Sequence, residues 1–439
     1  MKRILYSKLL DWKKSHPRKP LILRGTRQTG KTYLLCDFGQ NEFRKVHHVN
    51  FQKDPKSGKM FSQSLSPSAI LEALEFYLDS RINIDEDLLF FDEIQDCPKA
   101  LTSLKYFYED LPQMAVVCAG SLLGVSQSKE PFPVGKVSYL NLYPMSFEEF
   151  LLALGDKKGF QKLRSISKKD RIPESIHEHF MERLKEYYVV GGMPEAVKTY
   201  VNSAKRRAEA FLEVREKQSE LITSYMSDFS KYSGRVRGND IVAVFESIPS
   251  QLARENKKFK AKDVCSRGRF SRLQSPIDWL CSAGLLIKVK ITNSGEVPLE
   301  AFTKENRFKL YLFDIGILGA LARLSPKSIF YQAGDLFATF KGAFCENFVA
   351  QEFIYSGSSH LYSWMSNTAE VEFVREIDGR VFPIEVKSGR SGKLKSLNVF
   401  AKKYNVPYRT RISARNIELN EKAKMHNYPL YLAYRFPLT

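Results

Sequence analysis

Leu21-Ile-Leu-Arg-Gly25-Thr-Arg-Gln-Thr-Gly30-Lys31-Thr32-Tyr-Leu-Leu-Cys36-Asp-Phe38 is the stretch whose reading decides the fold. Within it, Gly25 to Thr32 spells G-x-x-x-x-G-K-T between an apolar run, Leu21 to Leu23, and a segment of helical character from Tyr33 onward. Strand, loop and helix in that order are what a phosphate-binding loop requires. A polyphosphate lies against backbone N–H groups, so Gly25 and Gly30 leave it room and allow left-handed dihedrals, while the helix starting near Lys31 aims its positive end at the anion. Thr26, Arg27, Gln28 and Thr29 complete the loop. Lys31 is expected to reach the β- and γ-phosphates and Thr32 to offer its hydroxyl to Mg²⁺, so ATP and Mg²⁺ are the expected cofactors.

Leu88-Leu-Phe-Phe-Asp92-Glu93 supplies a second half to that site. A strand apolar on both faces belongs inside a covered parallel sheet. Asp92 at its carboxyl end would hold Mg²⁺ through water, and Glu93 would orient and deprotonate the attacking water. The two motifs are expected to end neighbouring strands of one sheet. A third buried strand, Ala115 to Ala119, runs into Gly120-Ser121, where the serine reads either as a γ-phosphate sensor that positions the water or as an ordinary turn residue. Further strands are expected at 45–51 and 137–142, and a helix at 67–77. His47 and His48 are adjacent on a strand and face opposite ways, so they do not form a metal pair.

The composition, 43% hydrophobic and 27% charged over 439 residues, is that of globular protein with about two to four domains. The net charge is less ordinary. Sixty-eight Lys and Arg against 49 Asp and Glu leave +19, a surplus that points to an anionic partner, nucleic acid first and an anionic membrane surface second. Six scattered cysteines without a C-x-x-C pair read as reduced thiols. Asp11-Trp-Lys-Lys interrupts any leader-like apolar run at the start, and the expectation is a soluble, cytoplasmic protein.

Much of the positive excess falls between residues 231 and 290. A helix capped by Asp240 is expected to run to Leu252, and Ser275 and Pro276 are expected to open another that Gly284 stops. Leu285 to Ile291, the turn Asn293-Ser-Gly295 and the next strand read as a hairpin. Farther on, Glu346 lies in a helical segment, Glu370 and Glu372 share one face of a strand, and Glu385 and Lys387 share one face of another. Three carboxylates and a lysine can therefore converge.

The loop, Phe90-Phe-Asp-Glu-Ile-Gln95, Ala119-Gly-Ser121, Pro144-Met-Ser-Phe-Glu-Glu-Phe150 and Gly191-Gly-Met-Pro-Glu195 together resemble the AAA-like P-loop ATPases of bacteria and archaea that carry a C-terminal domain of long-unknown function. The resemblance implies an α/β fold with four parts: a parallel-sheet ATPase core (1–150), a helical lid (151–230), a basic winged helix (231–310) and an α/β domain similar to PD-(D/E)XK nucleases (311–439). It further implies that Glu346, Glu372 and Glu385 bind Mg²⁺ and that Lys387 orients or activates water. Position 372 departs from the nuclease pattern, where aspartate is usual. Family members also commonly have Gly-Arg where Gly135-Lys136 stands here. Arg267, Arg269 and Arg272 would lie near the groove-facing helix of the winged helix and contact DNA phosphates. The function expected is ATP hydrolysis coupled to DNA binding, with nuclease-like chemistry at the C-terminal end. The alternative is a nucleotide-dependent switch or scaffold that recognises proteins, its nuclease-like domain silent, either of them able to act as a homo-oligomer.

Overall fold

The computed structural model describes residues 1–121, 133–168, 170–203, 206–231, 238–264, 270–327, 338–390 and 392–438. Arg267 and Arg269, named above as DNA contacts, lie outside them. The chain divides into two compact units, Met1–Tyr143 and Pro144–Thr439.

The first unit is a five-stranded parallel sheet. Its strands are β1 (Leu21–Arg24), β2 (Val46–Asn50), β3 (Leu88–Asp92), β4 (Ala115–Gly120) and β5 (Ser138–Asn141), in the spatial order β2-β3-β4-β1-β5. Leu88, Leu89, Phe90 and Phe91 are all fully buried, as an apolar strand covered on both faces must be. Ile22, Leu89, Phe91, Val116 and Cys118 pack in one core, whereas Leu21, Leu23, Leu88, Phe90, Val117 and Ala119 pack in another, the alternation of a pleated sheet with two covered faces. The expectation that β1 and β3 are neighbours is corrected here. β4 lies between them, pairing Leu23 with Ala119 on one side and Phe90 with Val117 on the other. Ser121 at the end of β4 is thereby brought between the loop and the acidic pair.

The second unit opens with a run of helices, Phe147–Ala153, Lys157–Ser165, Glu174–Val190, Pro194–Ser203, Arg207–Lys231, Gly238–Leu252 and Phe270–Ser282. The helix expected to begin at Ser275 starts five residues earlier and carries Pro276 inside it. Asp240 sits in a first turn rather than capping it. After these come β6 (Leu286–Thr292), β7 (Thr303–Leu312), β8 (Leu361–Met365), β9 (Glu370–Ile377), β10 (Arg380–Val386), β11 (Arg409–Ser413), β12 (Glu418–Asn420) and β13 (Met425–Pro429). All eight form one mixed sheet, ordered β12-β13-β11-β10-β9-β8-β6-β7. The expected hairpin exists as the antiparallel pair β6–β7, but it is not a free-standing wing. β6 also pairs in parallel with β8, Val289 opposite Leu361, so the sheet runs unbroken across residue 310.

Helices lie on both faces of this sheet. Phe353 of the helix Ala338–Tyr355 meets Phe373, with ring centroids 5.7 Å apart, while Leu397 and Phe400 of the helix Lys395–Lys403 join Val374 and Trp364 in a separate cluster. Phe373 and Val374 are consecutive on a strand and so face opposite ways, which puts the two helices on opposite faces.

Gly191-Gly192 separates the helices Glu174–Val190 and Pro194–Ser203, and its reason is contact. A Cβ on Gly192 would run into the backbone of Met145, and Gly191 has φ +71°. The Gly192 N–H donates to Asp314 Oδ2 at 2.6 Å, and the other carboxylate oxygen accepts from Ile317 N at 3.0 Å, capping the helix Ile315–Leu321. Burial pushes the Asp314 carboxyl up to about 6 against the pull of those N–H groups. Removing the carboxylate would leave two buried donors unpaired, so Asp314→Ala is expected to destabilise the second unit by roughly 2–4 kcal/mol. A urea midpoint for that unit within experimental error of wild type would overturn this.

Candidate active site

The loop between β1 and the helix Lys31–Glu42 is held open by sterics and by its own polar groups. A Cβ on Gly25 would strike the Leu142 carbonyl oxygen. Gly30 takes φ +89° and Gln28 φ +65°, the left-handed turns that let successive N–H groups face one concavity. Thr29 is fully buried, its hydroxyl donating to the Thr26 carbonyl at 2.8 Å. Arg3, which sequence reading passed over, donates to the Thr29 carbonyl at 3.0 Å and fixes the outer wall. Its signal was only one cation in a basic leading segment.

Lys31 is 7% exposed, and its ammonium lies on the carbonyls of Gly25 (2.9 Å) and Thr26 (3.0 Å). Burial depresses it to about 8, opposed by Glu93 and Asp92 and reinforced by Arg27. Thr32 donates to Asp92 Oδ2 at 3.0 Å, so the hydroxyl of the loop and the acid at the end of β3 meet although one strand separates their own strands. Asp92 Oδ2 also accepts from Asn50 Nδ2 at 2.9 Å and faces His48 Nε2 at 3.4 Å. Burial raises the Asp92 carboxyl, yet His48, Thr32 and Asn50 outweigh it and hold the group below the usual carboxylate range.

His48 and Asn50 are additions that sequence did not give. They alternate on β2, which pairs with β3 in register, Asn50 opposite Asp92. His47 faces the other way and binds the buried Asp87 at 2.9 Å, so the two histidines do diverge as expected. His48 stacks on Phe90 with centroids 4.5 Å apart.

Glu93 follows at φ +50°, a left-handed conformation costly for a non-glycine residue and one that recurs at functional positions. Gln95 Nε2 donates to its Oε2 at 2.6 Å. Ser121 is 5% exposed, with its Oγ 3.5 Å from Arg27 Nε. The loop, Thr32, Asp92, Glu93 and Ser121 are therefore gathered at the carboxyl edge of the sheet. Gly135-Lys136 is not. β5 pairs Ser138 with Leu21, which puts Lys136 at the amino edge, where it binds Glu109 at 3.0 Å. That position cannot sense a phosphate in this unit's own loop.

The C-terminal carboxylates form a second cluster. Glu346 comes from the helix Ala338–Tyr355, Glu372 from β9 and Glu385 from β10, and Lys387 follows β10. Lys387 Nζ lies 2.5 Å from Glu385 and 3.7 Å from Glu372. Burial works against the Lys387 charge, but Glu372 and Glu385 raise it above the ordinary lysine range. Glu372 is pushed well above the carboxylate range by burial, then by Glu385 and Glu346. Lys309, 1% exposed, pairs with Glu370, and Tyr311 donates to Glu346 Oε2 at 3.0 Å. As these side chains stand, no group of three or more His, Cys, Asp or Glu among the described residues is arranged to hold a metal ion. Arg272, expected to face DNA, is bidentate on Asp240 and ties two helices together.

Residues 17–151 match the family model of an AAA domain. The first unit carries an AAA-type P-loop domain. Residues 181–328 and 341–431 match two domains of unknown function (DUF8612 and DUF4143). No curated protein matches the chain. Among solved structures it is similar to the Walker-type ATPase PABY2304 of Pyrococcus abyssi, at 16% identity over 73% of this chain and 95% of that one, with a TM-score of 0.47. It is also similar to the Aeropyrum pernix Orc1 protein in complex with DNA (14%, 73% and 90%, TM-score 0.32) and the Thermotoga maritima RuvB Holliday junction branch migration motor (15%, 68% and 91%, TM-score 0.32). Similarities this loose say nothing of what this chain binds. Among the described residues, no helix is long and apolar enough to cross a membrane.

The depressed Lys31 makes a pH prediction. A bound polyphosphate restores the ammonium, so binding takes up a proton wherever the free lysine is neutral. Affinity for ATP is expected to be flat below about pH 8 and to fall by up to about tenfold per pH unit above it. Calorimetric titrations at pH 7, 8 and 9 check this, and an affinity unchanged across that range would refute it.

Proposed function

We propose that the chain binds ATP at residues 25–32 and hydrolyses it. The observation that carries this is the contact of Thr32 with Asp92, which joins the phosphate loop to the acid of β3 at one edge of the sheet. The residues fit a magnesium nucleotide: Thr32 and Asp92 are oxygen donors of the kind that cation prefers, and Lys31 needs only to leave two loop carbonyls to reach phosphate. Mg²⁺ held there would neutralise charge on the β- and γ-oxygens. Glu93 orients water and accepts its proton, Gln95 fixes the Glu93 carboxylate, and Ser121 supports the position of the water.

The finer reading adds DNA. The +19 surplus supports it, as do the exposed Lys260, Lys262, Lys393 and Lys395 around the second unit's sheet. Arg267 and Arg269 remain part of this proposal, while Arg272 is spoken for by Asp240. Convergence of Glu346, Glu372, Glu385 and Lys387 supports Mg²⁺-dependent phosphodiester cleavage at the second cluster. One observation favours the alternative of a silent, nuclease-like switch: a second lysine, Lys257, already sits on Glu346.

Glu93→Gln is expected to lower kcat for ATP by roughly 10²–10⁴-fold with ATP affinity retained, whereas Lys31→Ala loses both. Turnover unchanged in Glu93→Gln would remove the assigned base. DNA affinity is expected to differ between the ATP, ADP and nucleotide-free states, and equal affinities at matched salt would count against coupling.

A further inference from the structure

The lysine that the E-x-K spacing provides compensates only two of the three acids of the second cluster. Lys387 serves Glu385 and Glu372, whereas the cation on Glu346 is Lys257, at 2.7 Å, delivered from outside the strands and helix that carry the acids. Glu346 is buried and Lys257 half-buried, with side chains 5% and 16% exposed. Lys257 belongs to the connection after the helix Gly238–Leu252. That connection is fastened beside the cluster by the Phe259 N–H on the Phe308 carbonyl (2.9 Å), by Phe259 stacked on Phe308 (5.3 Å between centroids) and by the Lys260 N–H on Gln251 Oε1 (2.9 Å). With Tyr311 on the other oxygen, both acceptors of Glu346 are taken.

The remaining acids show the opposite. Glu385 Oε2 and Glu372 Oε2 are buried with no donor from a third residue, the two carboxyls facing each other with that of Glu372 pushed well up by burial, and Glu385 is 4% exposed. Buried carboxylate oxygens left in this state are expensive unless a cation of higher charge completes them. An all-oxygen donor set suits Mg²⁺ or Mn²⁺ rather than a thiophilic metal.

We propose that Lys257 is an internal plug, an ammonium that holds Glu346 away from common use with Glu372 and Glu385, so that the three acids take a divalent cation together only when the connection at 253–264 withdraws. This rests on reading the cluster as a cation site. The plug makes that site conditional: the lysine and the metal compete for Glu346, and whatever draws the basic connection away, an anionic partner above all, opens it.

The test uses Mn²⁺ as probe on full-length protein carrying Asp92→Asn, which takes the first site's carboxylate out of the measurement. Lys257→Met is expected to bind Mn²⁺ roughly tenfold or more tightly than the parent, the scale expected on removing a competing buried charge, and Lys257→Arg is expected to leave affinity low. Lys257→Met should also melt at a lower temperature than the parent without Mn²⁺ and recover with it. If Lys257→Met does not fold, Lys257→Gln takes its place in the same comparison. Equal Mn²⁺ affinity in the parent and Lys257→Met, abolished in both by Glu385→Gln, would overturn the plug and leave the cluster a cation site. No Mn²⁺ binding sensitive to Glu385→Gln in any variant would overturn both.

Discussion

A single buried oxygen, Asp92 Oδ2, organises the first unit's chemistry. Charge at that depth is tolerable only with partners, and Thr32, Asn50 and His48 supply them from the loop's helix and from β2. Three separate pieces of chain are thereby brought to one atom. The pairing explains how β4 can intervene between β1 and β3 without separating loop from acid, since the contact passes through the first turn of the helix Lys31–Glu42 and not through the ladder. The loop is preassembled in this way, while Lys31 rests on the carbonyls of Gly25 and Thr26, which it would leave to meet a phosphate on the proposed reading.

The second unit meets a similar requirement by other means. Its acids come from a helix and two strands, and lysines balance them, Lys309 on Glu370, Lys387 on Glu385 and Lys257 on Glu346, with the Tyr311 hydroxyl added on Glu346. Neutral donors stabilise a carboxylate without competing with a cation for its charge. Lysines do compete. On the proposed reading the first cluster would accept a metal directly, and the second would exchange one positive charge for another.

The sequence carried the local elements well because their signals are local. A wholly apolar run, a glycine-framed loop and paired carboxylates at a strand end are each determined by residues close in the chain, and β1, β3 and β4 lie where those runs are. Strand order is not local, and nothing within Leu88–Glu93 reveals that β4 inserts beside it. The hairpin 286–312 was legible as a hairpin, but its membership of the eight-stranded sheet depends on β8, some fifty residues later. His48, Asn50 and Arg3 escaped for the same reason, their roles resting on strand register and on a contact across 26 positions. Lys136, where Gly-Arg is common in the family resembled, lies at the amino edge because β5 pairs Ser138 with Leu21, a register that its neighbours in the chain do not reveal.

The surplus of positive charge has to be read differently once the pairs are known. An ion pair consumes one charge of each sign, so the pairs of Lys257, Lys309 and Lys387 leave +19 untouched while engaging those three residues away from the surface that a polyanion would meet, and the exposed Arg272 is held on Asp240. The surplus therefore resides on other cations, and the middle segment, dense in Arg and Lys by sequence, contributes less to it than its composition suggests. Of that segment, Arg254 is also engaged, on Asp263, which leaves the exposed Lys260 and Lys262 flanking the connection that carries Lys257. A polyanion attracted to those two lysines would pull on the same short connection, since neighbours three and five residues away along the chain cannot move independently of it. On the proposal above, phosphate attraction at the surface and release of Glu346 beneath it would be mechanically the same displacement.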